Sequence, residues 1–142
     1  MDILLVEDDH DSRIRIARFL RDLGHRLVEC ENGENALRTF RPTFHMVLSD
    51  VKMPGMSGID LLREISSGPD GRDVDIVLFT GYNDLQLAIE AMRAGAYDYL
   101  LKPINVEELA AVVERVEEHQ SLLRENRTLK ENFEDTVKAA TA

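Results

Sequence analysis

Four short apolar runs in this chain each end in a polar residue, and this repeated pattern limits the folds the chain can adopt. ILLV is followed by the acidic triplet 7–9, HMVLS by Asp50, DIVLF by Thr80 and YDYLL by Lys102. The second and third runs are nearly continuous in apolar residues, as strands covered on both faces should be. In an open α/β sheet the carboxyl ends of the strands converge on one crevice, where ligands bind. The pattern therefore predicts that these polar groups meet at one site.

Segments with helical periodicity alternate with the apolar runs, which is typical of βαβ units and a parallel sheet. The strands are expected at 3–6, 26–30, 45–50, 75–80 and 97–101, and the helices at about 16–23, 33–40, 58–66, 85–92 and from Val106 onward. This alternation predicts an α/β fold: a doubly wound, five-stranded parallel sheet of order 2-1-3-4-5, flavodoxin-like, with an extended C-terminal helix. The switch point then lies between the first and third strands, which carry Glu7, Asp8 and Asp50.

Local signals suggest where the helices begin and end. Asp11 or Ser12 is a candidate N-cap of the first helix, and Asn83 is a candidate for the fourth. The fourth helix is indicated by apolar residues at i, i+3, i+4 and i+7, which are Leu85, Ala88, Ile89 and Met92. The segment SSGPDGRD (66–73) is rich in turn-forming residues and is predicted to be an exposed loop.

The last part of the chain, 119–142, is expected to be a helical linker that follows a domain at 1–118. It is highly charged, and four residues step along it at intervals of 4, 3 and 4: Leu122, Asn126, Leu129 and Phe133. We call these four residues the seam. Their spacing is typical of a two-stranded coiled coil, in which an Asn at one seam position can fix register. The pattern covers only about two heptads, so a dimerising helix and a solvated linker helix both remain open.

Composition excludes several classes of protein. With 142 residues and 44 % apolar content, the chain can form one domain with a substantial core. A net charge of −10 argues against direct binding of nucleic acid, whose phosphates favour basic surfaces. No apolar run approaches the roughly 18 residues of a membrane span. The amino terminus has no basic region before its first apolar run, so no secretory signal is visible and a cytoplasmic location is expected.

The predicted cluster of acids favours one kind of chemistry. Grouped carboxylates suit Mg²⁺, which keeps several waters and takes one or two carboxylates together with a phosphate. Asp8 and Asp50 are expected to bind the ion directly, and Glu7 through water. Asp50 would then be the nucleophile that forms an aspartyl phosphate. Lys102 would pair with one phosphoryl oxygen, and Thr80 would donate a hydrogen bond to another.

Each of these residues, taken alone, also has a purely structural explanation. Asp50 could form a turn after a strand, because Asp often bonds its own backbone. The acids at 7–9 could lie in a solvated loop that caps the first helix. Thr80 and Lys102 singly are weak evidence for a site. It is the placement of all four polar groups at strand ends of one sheet that favours a phosphoryl-acceptor site.

The motifs LLVEDD, LSDVKMPGMSG, LFTGY and YDYLLKP, in this order, resemble a two-component response-regulator receiver domain over roughly residues 1–118. The resemblance implies that Asp50 is the phosphoacceptor and that the backbone carbonyl of Lys52 is a further Mg²⁺ ligand. It also implies that Thr80 and Tyr99 are the switch residues, whose movements follow phosphorylation, and that the peptide bond before Pro103 is cis.

The segment that ends in LLRENRTLKENF resembles, more specifically, the receiver and linker of the nitrogen-regulatory-protein-C type, the sigma-54-dependent activators. That resemblance implies a sensor histidine kinase as partner and regulation of transcription as output. It implies an AAA+ ATPase and a DNA-binding domain in the full-length protein. It also implies a homodimer through the last helix and linker, with pairing that changes on phosphorylation.

Two other functions compete with this interpretation. A phosphohydrolase of the haloacid-dehalogenase type also uses an aspartyl nucleophile and Mg²⁺, but its DxD motif lies on the first strand. A pseudo-receiver would keep the fold and dimerise without phosphorylation, but such domains usually lose an acid, the Lys or the Thr. We therefore expect a signalling receiver that promotes only its own phosphorylation and dephosphorylation. Lys52 and Tyr82 occupy the positions that tune phosphoryl lifetime in the family, and their bulk predicts a long-lived phosphoaspartate.

Overall fold

A computed structural model describes the backbone of residues 1–81 and 83–141, and the side chains through residue 133 except those of residues 82 and 131. Strands and helices alternate along the chain as the sequence predicts. They are β1 Asp2–Val6, α1 His10–Asp22, β2 Arg26–Cys30, α2 Gly33–Thr39, β3 Met46–Asp50, α3 Gly58–Ser67, β4 Asp75–Gly81, α4 Leu85–Arg93, β5 Asp98–Lys102 and α5 Val106–Thr141. A short 3-10 helix, Pro69–Gly71, follows α3.

The five strands form one parallel sheet in the order β2-β1-β3-β4-β5, which confirms the predicted doubly wound topology. Each strand begins and ends within one residue of its predicted bounds. Val6 pairs with Ser49 across β1 and β3, and Asp50 pairs with Phe79 across β3 and β4. This register brings the carboxyl ends of these strands to the same edge of the sheet.

Apolar side chains cover both faces of the sheet. Since successive side chains of a strand point to opposite faces, each strand contributes to two core clusters. In β3, Val47 belongs to the cluster beneath α2, α3 and α4, whereas Met46 and Leu48 belong to the cluster beneath α1 and α5. Burial on both faces explains why the central strands are nearly continuous in apolar residues.

One local prediction is wrong and another is incomplete. Asp9, rather than Asp11 or Ser12, is the N-cap of α1, and its side chain accepts a hydrogen bond from Ser12 N at 3.0 Å. Several capping residues follow one another here, and Asp9 is the one that keeps an extended backbone. The segment 66–73 is not simply an exposed loop, because it contains the end of α3 and the 3-10 helix, in which Gly71 is buried.

The N-cap predicted for α4 is also wrong. Asp84, not Asn83, occupies this position, and its side chain makes no capping hydrogen bond. Its carboxylate is instead engaged by Lys52, whose Nζ lies 3.0 Å from Asp84 Oδ2. A contact with a distant part of the chain therefore replaces the local capping interaction.

Most of the apolar stripe of α4 faces solvent. Of the four residues with helical spacing, only Ala88 is fully buried, and Ala91 accompanies it. The larger side chains are exposed by 40 % or more: Leu85, Ile89 and Met92. Two alanines allow the helix to approach the sheet closely, but they bury little apolar area.

The last helix, α5, continues without interruption through the boundary expected at residue 118. Its first turns pack on the sheet through buried residues that include Leu109, Val113 and Val116. Gln120 is the last buried residue among the described side chains, and Leu123 is half-buried. The division into a domain and a linker stays a prediction. None of the described helices has the length and apolar character required to cross a bilayer.

A side chain at Gly58 is expected to disturb the loop after β3. A Cβ at this position would lie 2.2 Å from the carbonyl oxygen of Asp50, an atom of the strand end that cannot easily move. We expect Gly58→Ala to lower the free energy of unfolding by about 2 kcal/mol, as measured by urea denaturation followed by circular dichroism. Gly68→Ala is the control, since its Cβ would approach no atom closer than 3.6 Å. Equal stability of the two variants would contradict the prediction.

Candidate functional site

The carboxyl ends of β1, β3 and β5 bring three charged side chains together. Lys102 Nζ lies 2.6 Å from Asp50 Oδ2 and 3.4 Å from Glu7 Oε2. Only 1 % of Glu7 and 5 % of Asp50 is exposed. The Lys102–Pro103 peptide bond is cis, as the resemblance implies. One lysine is therefore shared by two buried acids at the carboxyl ends of different strands.

Asp8 completes an acidic cluster with these residues. One carboxylate oxygen from each of Glu7, Asp8 and Asp50 lies within 4.8 Å of the other two. Glu7 Oε2 is buried and accepts no hydrogen bond from the described residues, and Lys102 at 3.4 Å lies beyond the usual hydrogen-bond distance. Asp8 is exposed, so the cluster is open to solvent on one side. An oxygen-rich, partly open cluster with an unsatisfied buried oxygen fits a hard divalent cation such as Mg²⁺.

The charges of the cluster alter its acid–base properties. Burial raises the pKa of Glu7 to about 7; the hydrogen bond from Asp9 N opposes this increase, the charge of Asp50 adds to it, and the charge of Lys102 opposes it. Burial alone would lower the pKa of Lys102, but the hydrogen bond to Asp50 and the charges of both acids outweigh it and raise this pKa. The lysine is therefore cationic at neutral pH, and the site still contains more acids than cations.

Backbone contacts hold the residues that follow Asp50. Val51 N donates a hydrogen bond to Phe79 O at 3.0 Å, which continues the sheet past the end of β3. Lys52 N donates to Asp50 Oδ1 at 3.2 Å, which leaves Oδ2 for the lysine of β5. The Lys52 side chain is paired with Asp84 across the opening between the two loops. These contacts orient the carboxylate of Asp50 relative to the rest of the cluster.

Glu34 holds the same loop from α2, although no sequence pattern marks it as a residue of the site. Met56 N donates to Glu34 Oε1 at 2.8 Å, and this hydrogen bond lowers the pKa of Glu34. Gly55 allows the approach, because its φ is +78° and a Cβ there would lie 2.5 Å from Glu34 Oε1. Glu34 and Met56 are 22 positions apart, and no periodicity or motif connects them. The sequence therefore contained no signal for this contact.

The switch residues implied by the resemblance lie on the neighbouring strands. Thr80 is buried, and its Oγ1 donates to Gly81 O at 3.2 Å. Tyr99 is half-buried and lines a cleft with Lys102 and other residues of β5 and α5. Tyr82, the second residue predicted to tune the phosphoryl lifetime, lies outside the described residues.

The seam residues do not meet the acidic cluster. They lie along the exposed part of α5, where Leu122, Leu129 and Phe133 are exposed by 57 %, 62 % and 70 %. Asn126 is exposed between them. The structure thus separates the predicted site residues into a group at the sheet edge and a group on the linker.

Comparison with known proteins decides the family. The profile of the response regulator receiver domain matches residues 3–114, which include every residue of the acidic cluster and Lys102. The chain belongs to this receiver family. Receiver domains generally bind Mg²⁺ at an acidic pocket, and this chain has an acidic cluster of Glu7, Asp8 and Asp50.

Individual relatives agree with this assignment. The C4-dicarboxylate transport transcriptional regulatory protein DctD of Rhizobium meliloti is 33 % identical over 129 residues, covering 90 % of this chain and 28 % of DctD. The DNA-binding transcriptional regulator NtrC of Salmonella typhimurium is 33 % identical over 131 residues, covering 92 % of this chain and 28 % of NtrC. A receiver domain structure from Clostridium thermocellum has a TM-score of 0.79 at 30 % identity, covering 86 % of this chain and 98 % of that one. The receiver thus resembles those of NtrC-type regulators, and the chain spans 28 % of the length of these two curated relatives.

Glu7→Gln is expected to make the stability of the metal-free protein less dependent on pH. The folded-state pKa of Glu7, about 7, exceeds its ordinary value of 4.5. The contribution of the Glu7 carboxyl to the free energy of unfolding is therefore fully present below pH 4.5 and is lost as the pH rises through about 7. Gln cannot ionise. Between about pH 5 and about pH 8 the free energy of unfolding of the variant should therefore fall by roughly 1–2 kcal/mol less than that of the parent protein.

Urea denaturation without divalent ions, repeated across this pH range, measures the effect. Glu64→Gln is a matched control, because Glu64 is an exposed acid on α3 outside the cluster. Parallel pH profiles for Glu7→Gln and the parent protein would contradict the prediction.

Proposed function

We propose that this chain is a phosphorylation-dependent signalling switch, in which Asp50 accepts a phosphoryl group from a sensor histidine kinase. The observation that carries the proposal is the buried Asp50 carboxylate, held 2.6 Å from Lys102 Nζ beside two further acids. Membership of the receiver family supports it. Phosphoryl transfer depends chiefly on positioning and on stabilisation of charge, and this site offers both.

The residues present fit a bound Mg²⁺. Asp8 and Asp50 would bind it directly, together with the backbone carbonyl of Lys52, and Glu7 would act through water. When bound, the ion neutralises charge on the phosphoryl oxygens. The Lys52 ammonium has no lone pair to offer a cation and is paired with Asp84 at 3.0 Å, so the backbone carbonyl is the group of Lys52 that would face the ion. A cation here would also compensate for the unsatisfied Glu7 Oε2.

In the transfer step, an Asp50 carboxylate oxygen attacks phosphorus and forms the new phosphorus–oxygen bond. The bond between phosphorus and the kinase histidine nitrogen breaks, and its electron pair stays on that nitrogen. Lys52 N holds Asp50 Oδ1 in place at 3.2 Å during this step. Lys102, which contacts Oδ2 before transfer, then pairs with a phosphoryl oxygen.

The switch follows from a change of hydrogen-bond acceptor at Thr80. Its hydroxyl, which donates to the carbonyl of Gly81 at 3.2 Å, would donate to a phosphoryl oxygen instead. A hydrogen bond to a charged oxygen is stronger than one to a neutral carbonyl. The half-buried Tyr99 would turn inward to fill the space that the hydroxyl leaves, and this changes the surface of α4, β5 and α5.

The output would be a change in dimerisation through the seam. Exposed apolar residues at Leu122 and Leu129, with Asn126 between them, suit a two-stranded pairing with a second copy of the chain. Glu125 and Lys130 flank the seam five positions apart, where opposite charges pair between the helices of a parallel coiled coil. These features favour the dimerising helix over the solvated linker.

The full-length protein would connect this dimer to transcription. DctD and NtrC are transcriptional regulators that extend well beyond the matched region. We propose that an AAA+ ATPase and a DNA-binding domain follow the linker, as in sigma-54-dependent activators. Phosphorylation would change the pairing of the receivers and their contacts with these output domains, while this chain itself makes no direct contact with nucleic acid.

Phosphorylation by a small donor tests the proposed chemistry. Incubation with acetyl phosphate and Mg²⁺ should add a single phosphoryl group, detected by intact-mass spectrometry, because the site supplies the nucleophile and the charge stabilisation itself. Chelation of Mg²⁺ and the Asp50→Asn variant should each abolish the adduct. After removal of the donor, the adduct should persist for minutes or longer; a half-life of seconds would contradict the predicted long lifetime.

Two other outcomes, one with acetyl phosphate and one with a set of small phosphate esters, would favour the competing functions. Absence of an adduct in a protein that is nevertheless dimeric would leave a pseudo-receiver as the better account. Steady release of phosphate from many small phosphate esters would favour a phosphohydrolase.

Leu129→Glu tests the seam. A charge at this position would have to be buried between two helices. We therefore expect the Kd of the dimer to rise at least tenfold. Light scattering over a range of protein concentrations, with and without the phosphoryl donor, measures the change. Thr128→Glu introduces the same charge one residue away and should leave association unaltered. Equal behaviour of the two variants would contradict the proposed seam.

A further inference from the structure

A polar cluster at the edge of the sheet opposite Asp50 connects α5 to the start of β4. Asp75 Oδ2 lies 2.6 Å from His119 Nδ1 and accepts a hydrogen bond from Gln120 Nε2 at 2.9 Å. The same amide nitrogen donates to Asp73 O at 2.7 Å. Asp75 and Gln120 are each only 7 % exposed. We call these four residues, Asp73, Asp75, His119 and Gln120, the linker clamp.

Two further contacts surround the clamp. The ring of Tyr97, just before β5, stacks on the ring of His119 with centroids 5.1 Å apart and an interplanar angle of 24°. Two turns beyond Gln120, Arg127 forms an ion pair with Asp73. The helix is thus held at several points along its length, by residues at the starts of two neighbouring strands.

Polar contacts, rather than apolar packing, hold this part of the helix. The apolar core beneath α5 ends at Val116. Beyond it, a cleft of about 360 Å³ lies between the helix and the receiver, lined by Phe44, Leu123 and Arg124 among others. A buried amide that donates twice, once to a charged carboxylate, is costly to separate from its partners. The clamp is therefore the main attachment of α5 after its last core residue.

The docked face and the seam lie on different sides of the helix. At 100° per residue, Val116, Gln120, Leu123 and Arg127 share one face, and the seam is centred roughly 120° around from it. A second helix can therefore pack on the seam without displacing the receiver. The opposite charges at Glu125 and Lys130 flank that outward side.

We propose that the linker clamp docks the linker helix against the base of the receiver and thereby holds the seam on the side away from it, where a second copy of the chain can bind. The docking does not depend on the proposed phosphoryl chemistry. The consequence for pairing does rest on the proposed function, since it requires the seam to be a dimer interface.

Hydrogen exchange on the full chain tests the docking. Gln120→Met keeps the length and helical propensity of the side chain but removes both hydrogen bonds of the amide. Amides of residues 120–128 should then exchange about tenfold faster, because losing these two hydrogen bonds lowers the free energy of local opening by an amount that corresponds to such a ratio. Ser121→Ala, at an exposed position on the same helix, should exchange like the parent protein. Unchanged exchange in Gln120→Met, with the strands still protected, would overturn the proposal.

The dimer-disrupting variant Leu129→Glu separates docking from pairing. If the clamp protects these amides, they should remain protected in Leu129→Glu and lose protection only when Gln120→Met is added. If Leu129→Glu alone removes the protection, the dimer and not the receiver holds the helix, and the docking proposal fails.

Disulfide cross-linking tests the orientation of the seam. In a Cys30→Ala background, Leu122→Cys should cross-link two copies at least tenfold faster than Leu123→Cys, since position 122 belongs to the seam and position 123 to the docked face. Adding Gln120→Met should reduce this ratio severalfold. A ratio that Gln120→Met leaves unchanged would overturn the positioning role of the clamp. An absence of cross-links at both positions would overturn the seam as a dimer interface. The docking of the helix would then still be decided by hydrogen exchange.

Discussion

The arrangement of the site depends on one lysine that reaches across the sheet. Lys102 ends β5, yet its Nζ lies 5.3 Å from the ring centroid of Phe79 on β4 and contacts Asp50, which ends β3, and Glu7, which follows β1. Its long apolar stem can lie along buried surface while the ammonium meets the carboxylates. Without this cation, Glu7 and Asp50 would be two buried like charges with no compensating group on their own strands. The parallel orientation of the strands makes the contact possible, since it places all their carboxyl ends at one edge of the sheet.

The strands and the acidic cluster could be predicted because both follow from local sequence. A strand buried on both faces has an almost unbroken apolar run, so polar residues mark its end, as Ser49 and Asp50 do in β3 and Thr80 does in β4. Topology then brings these ends together, and the lysine contact follows. Helix caps were harder to predict, because DDHDS offers several capping residues in succession. Only the backbone conformation distinguishes Asp9 from the others.

Contacts that shape the loops and the linker could not be predicted from the sequence. Glu34, Asp84 and Gln120 are ordinary polar residues of helices or helix ends, and each meets a partner more than 20 positions away. His119 has no metal-ligand spacing, and its partner Asp75 looked like the first residue of a strand. Such pairs depend on where the fold places two surfaces. Neither hydrophobic period nor motif spacing carries that information.

The unbroken helix α5 would also amplify a small change of angle at the clamp. From Gln120 to its end at Thr141, the helix extends about 30 Å at 1.5 Å per residue. A tilt of about 10° at the clamp would therefore move the far end by roughly 5 Å, several times the displacement at the clamp itself. A small adjustment at the start of β4 or β5 would become a large displacement wherever the next part of a longer chain is attached.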